Sequence, residues 1–276
     1  MMDSRGASQA EAALACTTRK FSIFSTQCDM WDKVQAEALF AMMQEVASDN
    51  AVDNGYGYVQ LDPQGLVWLL SRSSLRMQSY PGWGDDLYIR TWCRKVERLF
   101  YMRDFELSDG QGRLWGAATT AWFLSDKSTH KPERADRISS QQQTFVNPEA
   151  VLPFDAVKLR NASVVYPDSP QIKKYADFSD IDRNRHVNNT RYVAWVADCF
   201  YAAKGLQHPH AIIGLDINFV SELHAGDEVF LYGAEALASS PTLASEIERP
   251  EISGYFDVEG RNRDGLVCFK ARLHYN

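Results

Sequence analysis

The chain has 276 residues, enough for one large hydrophobic core or two of ordinary size. Its formal net charge of −7 argues against a nucleic-acid partner, because phosphate binding depends on clustered Lys and Arg. No apolar run approaches the length needed to span a bilayer, about 20 residues, so no membrane span is expected.

The first elements along the chain predict one helix followed by strands. Residues 1–18 carry no apolar stretch typical of a secretory signal and are predicted to be a loose tail. Between Trp31 and Asn50 the apolar residues recur at three- and four-residue steps, which predicts a buried helix face, with Asp32 as its cap. Strand-like runs follow at about 66–78, 86–96, 99–108 and 113–124.

A polar, proline-containing stretch separates this first set of elements from a second one. Residues 125–168 contain four prolines and favour a connector over a core element. The sequence therefore predicts an N-terminal unit over 19–150, with the connector beginning at about 125, and a C-terminal unit over 151–276.

The second half repeats the order of the first. A helix is predicted from Asn189 to Lys204, with Gly205 placed where helix C-termini favour it. Strand-like runs follow at about 211–221, 227–237, 243–249, 252–259 and 265–275. The segment 84–89 also resembles 226–231. One helix followed by several strands, twice over, predicts a duplicated α+β fold.

Polar residues that can do chemistry gather just before the second helix. Asp182, Asn184 and His186 alternate, so an extended backbone would place the three side chains on one face. Asn188 is a good N-cap residue, and Asn189 would then open the helix, whose N-terminal N–H groups carry a partial positive charge. A capped turn is the simpler alternative interpretation of these residues.

The block from Asp182 to Trp195 resembles the D-x-N-x-H-V-N-N-x-x-Y-x-x-W motif of the acyl-acyl-carrier-protein thioesterases of plant plastids and bacteria. This resemblance implies a tandem hot-dog fold, in which each antiparallel sheet wraps around a central helix. It also implies hydrolysis of fatty acyl-acyl-carrier protein (acyl-ACP) in the second unit, with no cofactor. The first unit, which shows no such motif around residues 27–32, would shape the acyl-chain cavity.

The resemblance also suggests roles for individual residues. His186 with Asp182 would position or deprotonate water, while Asn184 and the helix N-terminus would polarise the thioester carbonyl. Glu222 precedes a Gly-Asp turn at the place of the family's glutamate and is the candidate second base. Leu223 follows it where plant enzymes carry a cysteine, which favours attack by water over a covalent acyl-cysteine.

Residues expected to bind substrate lie in the same block. Asn188 and Asn189 are candidates near the scissile group. Arg183 and Arg185 could meet the phosphate of the pantetheine arm or an acidic carrier, although a solvated basic face is an equal alternative.

Three alternative functions stay open. A hot-dog acyl-CoA thioesterase would use similar polar groups, and a non-catalytic acyl-binding module would retain only the fold. A hot-dog hydratase is disfavoured because its D-x-N-x-x-H spacing is one residue longer.

The five cysteines contain no C-x-x-C, so neither a disulfide framework nor a metal site is expected, and a reducing cytoplasm is predicted. A homodimer is compatible with the sequence.

Overall fold

The computed structural model describes residues 16–134, 146–160, 164–206, 212–236 and 252–276. Its helices are α1 (Ala36–Asp53), α2 (Tyr58–Leu61) and α3 (Asn189–Lys204). The strands of the first half are β1 (Thr17–Ser22), β2 (Leu66–Met77), β3 (Asp86–Glu97), β4 (Phe100–Ser108), β5 (Leu114–Asp126) and β6 (Pro132–Glu133). Those of the second half are β7 (Ile172–Tyr175), β8 (Ile212–Phe219), β9 (Glu228–Ala236), β10 (Gly254–Asn262) and β11 (Val267–Tyr275).

Within these ranges the strands form one antiparallel sheet. Their order is β1-β3-β4-β5-β2-β8-β11-β10-β9-β7, and β6 adds to β5. Strands β2 and β8 pair antiparallel at the centre, from Arg72 opposite Asn218 to Arg76 opposite Gly214. The two halves are therefore mirrored in strand order and share a continuous sheet.

Both long helices cover the same face of this sheet and pack against each other. Each buries an apolar stripe with helical spacing, as predicted: Leu39, Phe40, Met43 and Val46 on α1, and Tyr192, Trp195, Val196, Cys199 and Phe200 on α3. These residues belong to one hydrophobic cluster that includes side chains from both halves. The arrangement confirms the predicted tandem hot-dog fold.

The start of α3 is as predicted, whereas the start of α1 is not. Asn188 caps α3 by accepting a hydrogen bond from the Thr190 N–H at 2.9 Å. Helix α1 begins three residues later than a cap at Asp32 would require, at Ala36, after Gln35. Asp32 is no cap, because it has a left-handed φ of 58° within a tight turn organised by Asp29.

The predicted strands agree with the structure within three residues at each end. The run expected at 243–249 lies outside the described residues. Strand β1 begins at Thr17, two residues before the predicted start of the N-terminal unit.

Residues 146–160, the central described part of the connector, pack on the outer face of the sheet, opposite the helices. The Glu149 carbonyl accepts a hydrogen bond from the Trp92 indole at 2.9 Å. Farther along, the Val157 N–H donates to Ser74 Oγ at 3.0 Å, and the Leu159 N–H donates to Asn218 Oδ1 at 2.8 Å. The segment thus crosses from the first unit to the second and covers buried polar side chains.

A buried ionic group joins the two units on this outer face. Asp216 on β8 lies 2.9 Å from the Arg76 guanidinium on β2 and 2.9 Å from His274 Nε2 on β11. Burial opposes ionisation of Asp216, but the Arg76 charge and the His274 hydrogen bond outweigh it and hold its pKa at about 2. Burial, followed by the neighbouring guanidinium groups, lowers the pKa of His274 despite its bond to Asp216.

The lowered pKa of His274 predicts a stability that depends on pH. Below about pH 6.5, the ordinary histidine pKa, the unfolded chain binds a proton at His274 that the folded chain does not. We expect the free energy of unfolding to fall as pH decreases through this interval, by up to about 1.4 kcal/mol per pH unit from this group. Urea denaturation between pH 7.5 and 5.5 measures it, and His274→Gln should flatten the slope. Parallel slopes in the two proteins would contradict the assignment.

Candidate active site

A cavity of about 760 Å³ lies between the two units on the helix side of the sheet. The last turns of α1, helix α2 and the first residues of β2 form its walls in the first unit. The segments 182–189 and 219–222 close it in the second unit. Every candidate site residue predicted from the sequence lines this cavity except Arg185.

The segment before α3 is a tight turn. Ile181 pairs with Val187, and the Asp182 N–H donates to the His186 carbonyl at 2.8 Å. Asp182 Oδ1 accepts hydrogen bonds from the N–H groups of Asn184 at 2.7 Å and His186 at 3.3 Å. The expectation of an extended segment with alternating side chains is therefore wrong, because the Asp182 carboxylate satisfies backbone donors that would otherwise pair along a strand.

The turn places His186 beside Glu222. Their side chains are joined at 3.4 Å between Nε2 and Oε2. Glu222 follows β8, and the Val187 N–H donates to the Leu223 carbonyl at 2.8 Å, which holds the two segments together. The side chains are 21% and 38% exposed, so water can reach both groups at the mouth of the cavity. The His224 ring packs edge-on against His186, with centroids 4.9 Å apart.

Amide groups surround the His186–Glu222 pair. The side chains of Asn184 and Asn189 make no hydrogen bonds to the described residues, which leaves their donors available to a ligand. The Asn188 side chain is occupied, because its Oδ1 accepts from both the N–H and the hydroxyl of Thr190 at 2.9 Å. Helix α3 begins at Asn189 and directs its N-terminal dipole toward the same region.

The two arginines of the turn differ in placement. The Arg183 guanidinium stacks over the Tyr58 ring, 3.5 Å from its centroid, and lines the cavity. Arg185 is exposed on the outside of the turn, with a left-handed φ of 67°. No local sequence pattern predicts the contact between Arg183 and Tyr58, since it joins residues from different units.

The first unit contains the same turn without the same chemistry. Asp29 Oδ1 accepts from the N–H groups of Trp31 at 2.9 Å and Lys33 at 3.0 Å, as Asp182 does from Asn184 and His186. The Asp29 N–H also donates to the Lys33 carbonyl at 2.8 Å. Trp31 and Lys33 thus occupy the places of Asn184 and His186.

The duplicated turn extends to the neighbouring loop. The Val34 N–H donates to the Pro81 carbonyl at 2.9 Å, as Val187 does to Leu223, so Tyr80 corresponds to Glu222. The shared Asp and Val positions are visible in the sequence when the two units are aligned. The D-x-N-x-H pattern does not reveal them, because the first unit lacks its Asn and His. The same aspartate hydrogen bonds are therefore present in the unit that has no His–Glu pair.

The described part of the chain offers neither a cluster of metal ligands nor a membrane-spanning helix. No group of three or more His, Cys, Asp or Glu side chains in this part of the chain could hold a metal ion. No helix in the same part is long and apolar enough to cross a membrane.

Comparison with protein families decides the classification. Residues 15–139 match the acyl-ACP thioesterase N-terminal domain, and residues 168–252 match the acyl-ACP thioesterase C-terminal domain. The chain belongs to the acyl-ACP thioesterase family. This membership confirms the resemblance seen in the sequence.

Curated members of the acyl-ACP thioesterase family show moderate similarity. The chain is 28% identical to oleoyl-acyl carrier protein thioesterase 2, chloroplastic, of Arabidopsis thaliana over 196 residues, 65% of this chain and 52% of the relative. It is 25% identical to palmitoyl-acyl carrier protein thioesterase, chloroplastic, of the same plant over 271 residues, 94% of this chain and 63% of the relative. The chain therefore spans less than two thirds of the length of these relatives.

Solved structures of acyl-ACP thioesterases share the fold. An acyl-ACP thioesterase from Bacteroides thetaiotaomicron superimposes with a TM-score of 0.77 at 23% identity, covering 96% of this chain and 99% of that one. The 12:0-ACP thioesterase from Umbellularia californica gives a TM-score of 0.73 at 20% identity, covering 95% of this chain and 94% of that one. At this level of identity the comparison establishes the fold.

Proposed function

We propose that this chain hydrolyses the thioester of a fatty acyl-ACP, releasing the free fatty acid and the holo-carrier protein. The observation that carries the proposal is the His186–Glu222 pair, 3.4 Å apart at the mouth of a cavity between the units. Membership of the acyl-ACP thioesterase family supports the choice of substrate.

In this proposal, water attacks the thioester carbonyl with help from the pair. A water molecule at the cavity mouth donates hydrogen bonds to His186 and Glu222, and one of its protons passes to the pair as its oxygen bonds to the carbonyl carbon. The carbon–sulfur bond then breaks, and the departing sulfur takes the proton. A thiolate with a pKa of about 8.5 leaves with little help.

The groups around Asn184 suit the negative charge that develops on the carbonyl oxygen. The Asn184 amide and the N-terminus of α3 line the same part of the cavity. Donors fixed in place before the reaction lower the barrier most, because they need no reorganisation as charge develops. We therefore assign Asn184, Asn189 and the helix N-terminus to carbonyl binding.

Asp182 has a different role in the proposed mechanism. Its Oδ1 binds two backbone N–H groups, and Asp29 makes the same bonds in the unit that has no His–Glu pair. Asp182 therefore shapes the turn that presents Asn184 and His186, and the His186–Glu222 pair handles the proton. This assignment differs from the direct His186–Asp182 partnership expected from the sequence.

The cysteines support attack by water. Cys93 lines the cavity, but burial raises its pKa to about 11, which leaves little thiolate at neutral pH. Burial likewise raises the pKa of Cys199, on the core face of α3, to about 12. A covalent acyl-cysteine at either residue would need a thiolate that these environments disfavour.

The first unit supplies the apolar wall for the acyl chain, including Leu66, Trp68, Leu70 and Trp122. At the mouth, Arg183 and the exposed Arg185 suit the phosphate of the pantetheine arm and the acidic surface of a carrier. The cytoplasmic location and the homodimer remain predictions, and the plant relatives are named chloroplastic.

The proposal is tested by thiol release from matched palmitoyl and oleoyl esters of carrier protein and of CoA, using the purified chain. We expect the carrier-protein esters to be cleaved with the higher kcat/KM. Cleavage of CoA esters alone would replace the carrier with a nucleotide-bearing partner. Acyl binding without release from any ester would indicate a binding module.

A further inference from the structure

A buried arginine lies inside the cavity, away from the proposed catalytic pair. Arg103 on β4 is only 6% exposed and lines the cavity. It lies opposite Thr120 on β5, which lies opposite Ser73 on β2, and Ser73 lies opposite Ile217 on β8. Three strand spacings, about 14 Å, therefore separate Arg103 from the strand that leads to Glu222.

The hydrogen-bond partners of Arg103 are all neutral. Nη1 donates to Asn50 Oδ1 at 2.8 Å and to Thr91 Oγ1 at 3.3 Å, and Nη2 donates to the Tyr56 hydroxyl at 3.2 Å. A guanidinium has five N–H donors, so these bonds to the described residues leave two for a ligand.

No carboxylate in the described part of the chain comes within ion-pair distance of Arg103. The neighbouring Asp104 projects to the other face of the sheet, where it lies 3.0 Å from Arg94. Burial of a charge is costly unless an opposite charge or a full set of hydrogen bonds compensates for it. An apolar chain end at this position would leave the cost unrelieved, whereas a carboxylate would relieve it.

We propose that the cavity accepts acyl chains with an oxygen function at the far end, a carboxylate above all and a hydroxyl second, and that Arg103 determines this specificity. The link to a thioester rests on the function proposed above, but the binding preference does not. The acyl group begins at His186 and its chain runs along the cavity across β2 and β5. Its distal oxygen then accepts hydrogen bonds from the guanidinium.

Binding of ligands whose near-end carboxyl is blocked tests the proposal without any catalytic step. The N-methylamide of dodecanoic acid, that of its ω-hydroxy counterpart and the mono-N-methylamide of the α,ω-dicarboxylic acid of equal length are titrated into the chain, with calorimetry as the readout. We expect the ω-carboxylate ligand to bind at least about tenfold more tightly than the unmodified amide, because a charged hydrogen-bond pair contributes more than about 1.4 kcal/mol. The ω-hydroxy ligand should lie between them.

Three variants locate the preference at the guanidinium. Arg103→Met keeps a long side chain without the charge and should abolish or reverse the preference, while Arg103→Lys should retain part of it. Tyr56→Phe is the matched control, because it removes a partner of Arg103 but leaves the guanidinium, and its preference should persist. If Arg103→Met fails to fold, the wild type, Arg103→Lys and Tyr56→Phe still show whether the preference depends on the guanidinium.

Two results would overturn the proposal: equal binding of the three amide ligands by the wild type, or an unchanged preference in Arg103→Met. The outcome is separable from that of the thioesterase assay. A preference for the ω-carboxylate ligand without acyl-ACP cleavage would leave this inference standing and refute the proposed function. Cleavage of acyl-ACP without that preference would support the proposed function and refute this inference.

Discussion

Glu222→Gln and His186→Ala are each expected to reduce kcat for thiol release from acyl-ACP by about 10²- to 10⁴-fold, the usual contribution of a positioned acid or base. Glutamine preserves the size of Glu222 but cannot take a proton. KM should change little, because neither side chain contributes to the apolar walls that hold the acyl chain. Steady-state kinetics with one acyl-ACP substrate measures both parameters.

The double variant is informative because the proposed mechanism makes the two residues act as a unit. It should be little worse than either single variant, since removing one member already disables the pair. His224→Ala is the matched control: its ring touches His186 but does not line the cavity, so kcat should change only a few-fold. A Glu222→Gln enzyme with wild-type kcat would remove Glu222 from the mechanism.

Asp182→Ala is expected to lower both stability and kcat, whereas Asp182→Asn is expected to keep most of the activity. Alanine leaves the N–H groups of Asn184 and His186 without their acceptor, which should cost about 1–3 kcal/mol of stability. Displacement of the turn that carries Asn184 and His186 should also lower kcat, by about 10²-fold. Asparagine retains an oxygen at the same place, so kcat should stay within about tenfold of the wild type if Asp182 takes no proton. Urea denaturation and acyl-ACP kinetics on both variants measure the two effects.

The repeated turn in the first unit supplies the control for Asp182. Asp29→Ala removes the same two backbone hydrogen bonds, so its loss of stability should match that of Asp182→Ala, while kcat remains near the wild-type value. Should Asp182→Asn be as inactive as Glu222→Gln, Asp182 would return to the mechanism as an acid or base.

The sequence predicted α3 with the correct limits because local signals mark both ends. Asn188 satisfies an N-terminal backbone donor, and Gly205 adopts the positive φ that ends the helix. The start of α1 has no comparable signal. Gln35 makes no side-chain cap, and the aspartate that looked like one, Asp32, belongs to the preceding turn.

The sequence predicted which residues gather at the candidate site but not how their side chains meet. The spacing of Asp182, Asn184 and His186 fits a strand face as well as a turn, and only the choice of backbone decides which side chains meet. Here the turn sends the Asp182 carboxylate to backbone donors and leaves His186 to Glu222. His186 and Glu222 are 36 positions apart in the sequence. Their contact depends on how β8 packs against the turn, which no local pattern specifies.

Arg103 shows a second limit of the sequence. A charged residue in a strand normally predicts a side chain that faces solvent. Arg103 and the residues on both sides of it in β4 are instead buried. Its place inside a cavity follows from the helix that covers the strand, and the contact with Asn50 joins positions far apart in the chain.

The two outer strands of the sheet bear on how this molecule avoids polymerising. Strands β1 and β7 have six and four residues, and each presents adjacent basic residues, Arg19 with Lys20 and Lys173 with Lys174. Each of these basic side chains is held in an ion pair, with Asp49, Asp86, Glu228 and Asp198 respectively, so another copy aligning its own outer strand there would crowd charged pairs along a short hydrogen-bonding edge. Growth of fibrous aggregates by strand addition is thereby opposed at both ends, while the hydrophobic central strands stay protected inside the sheet.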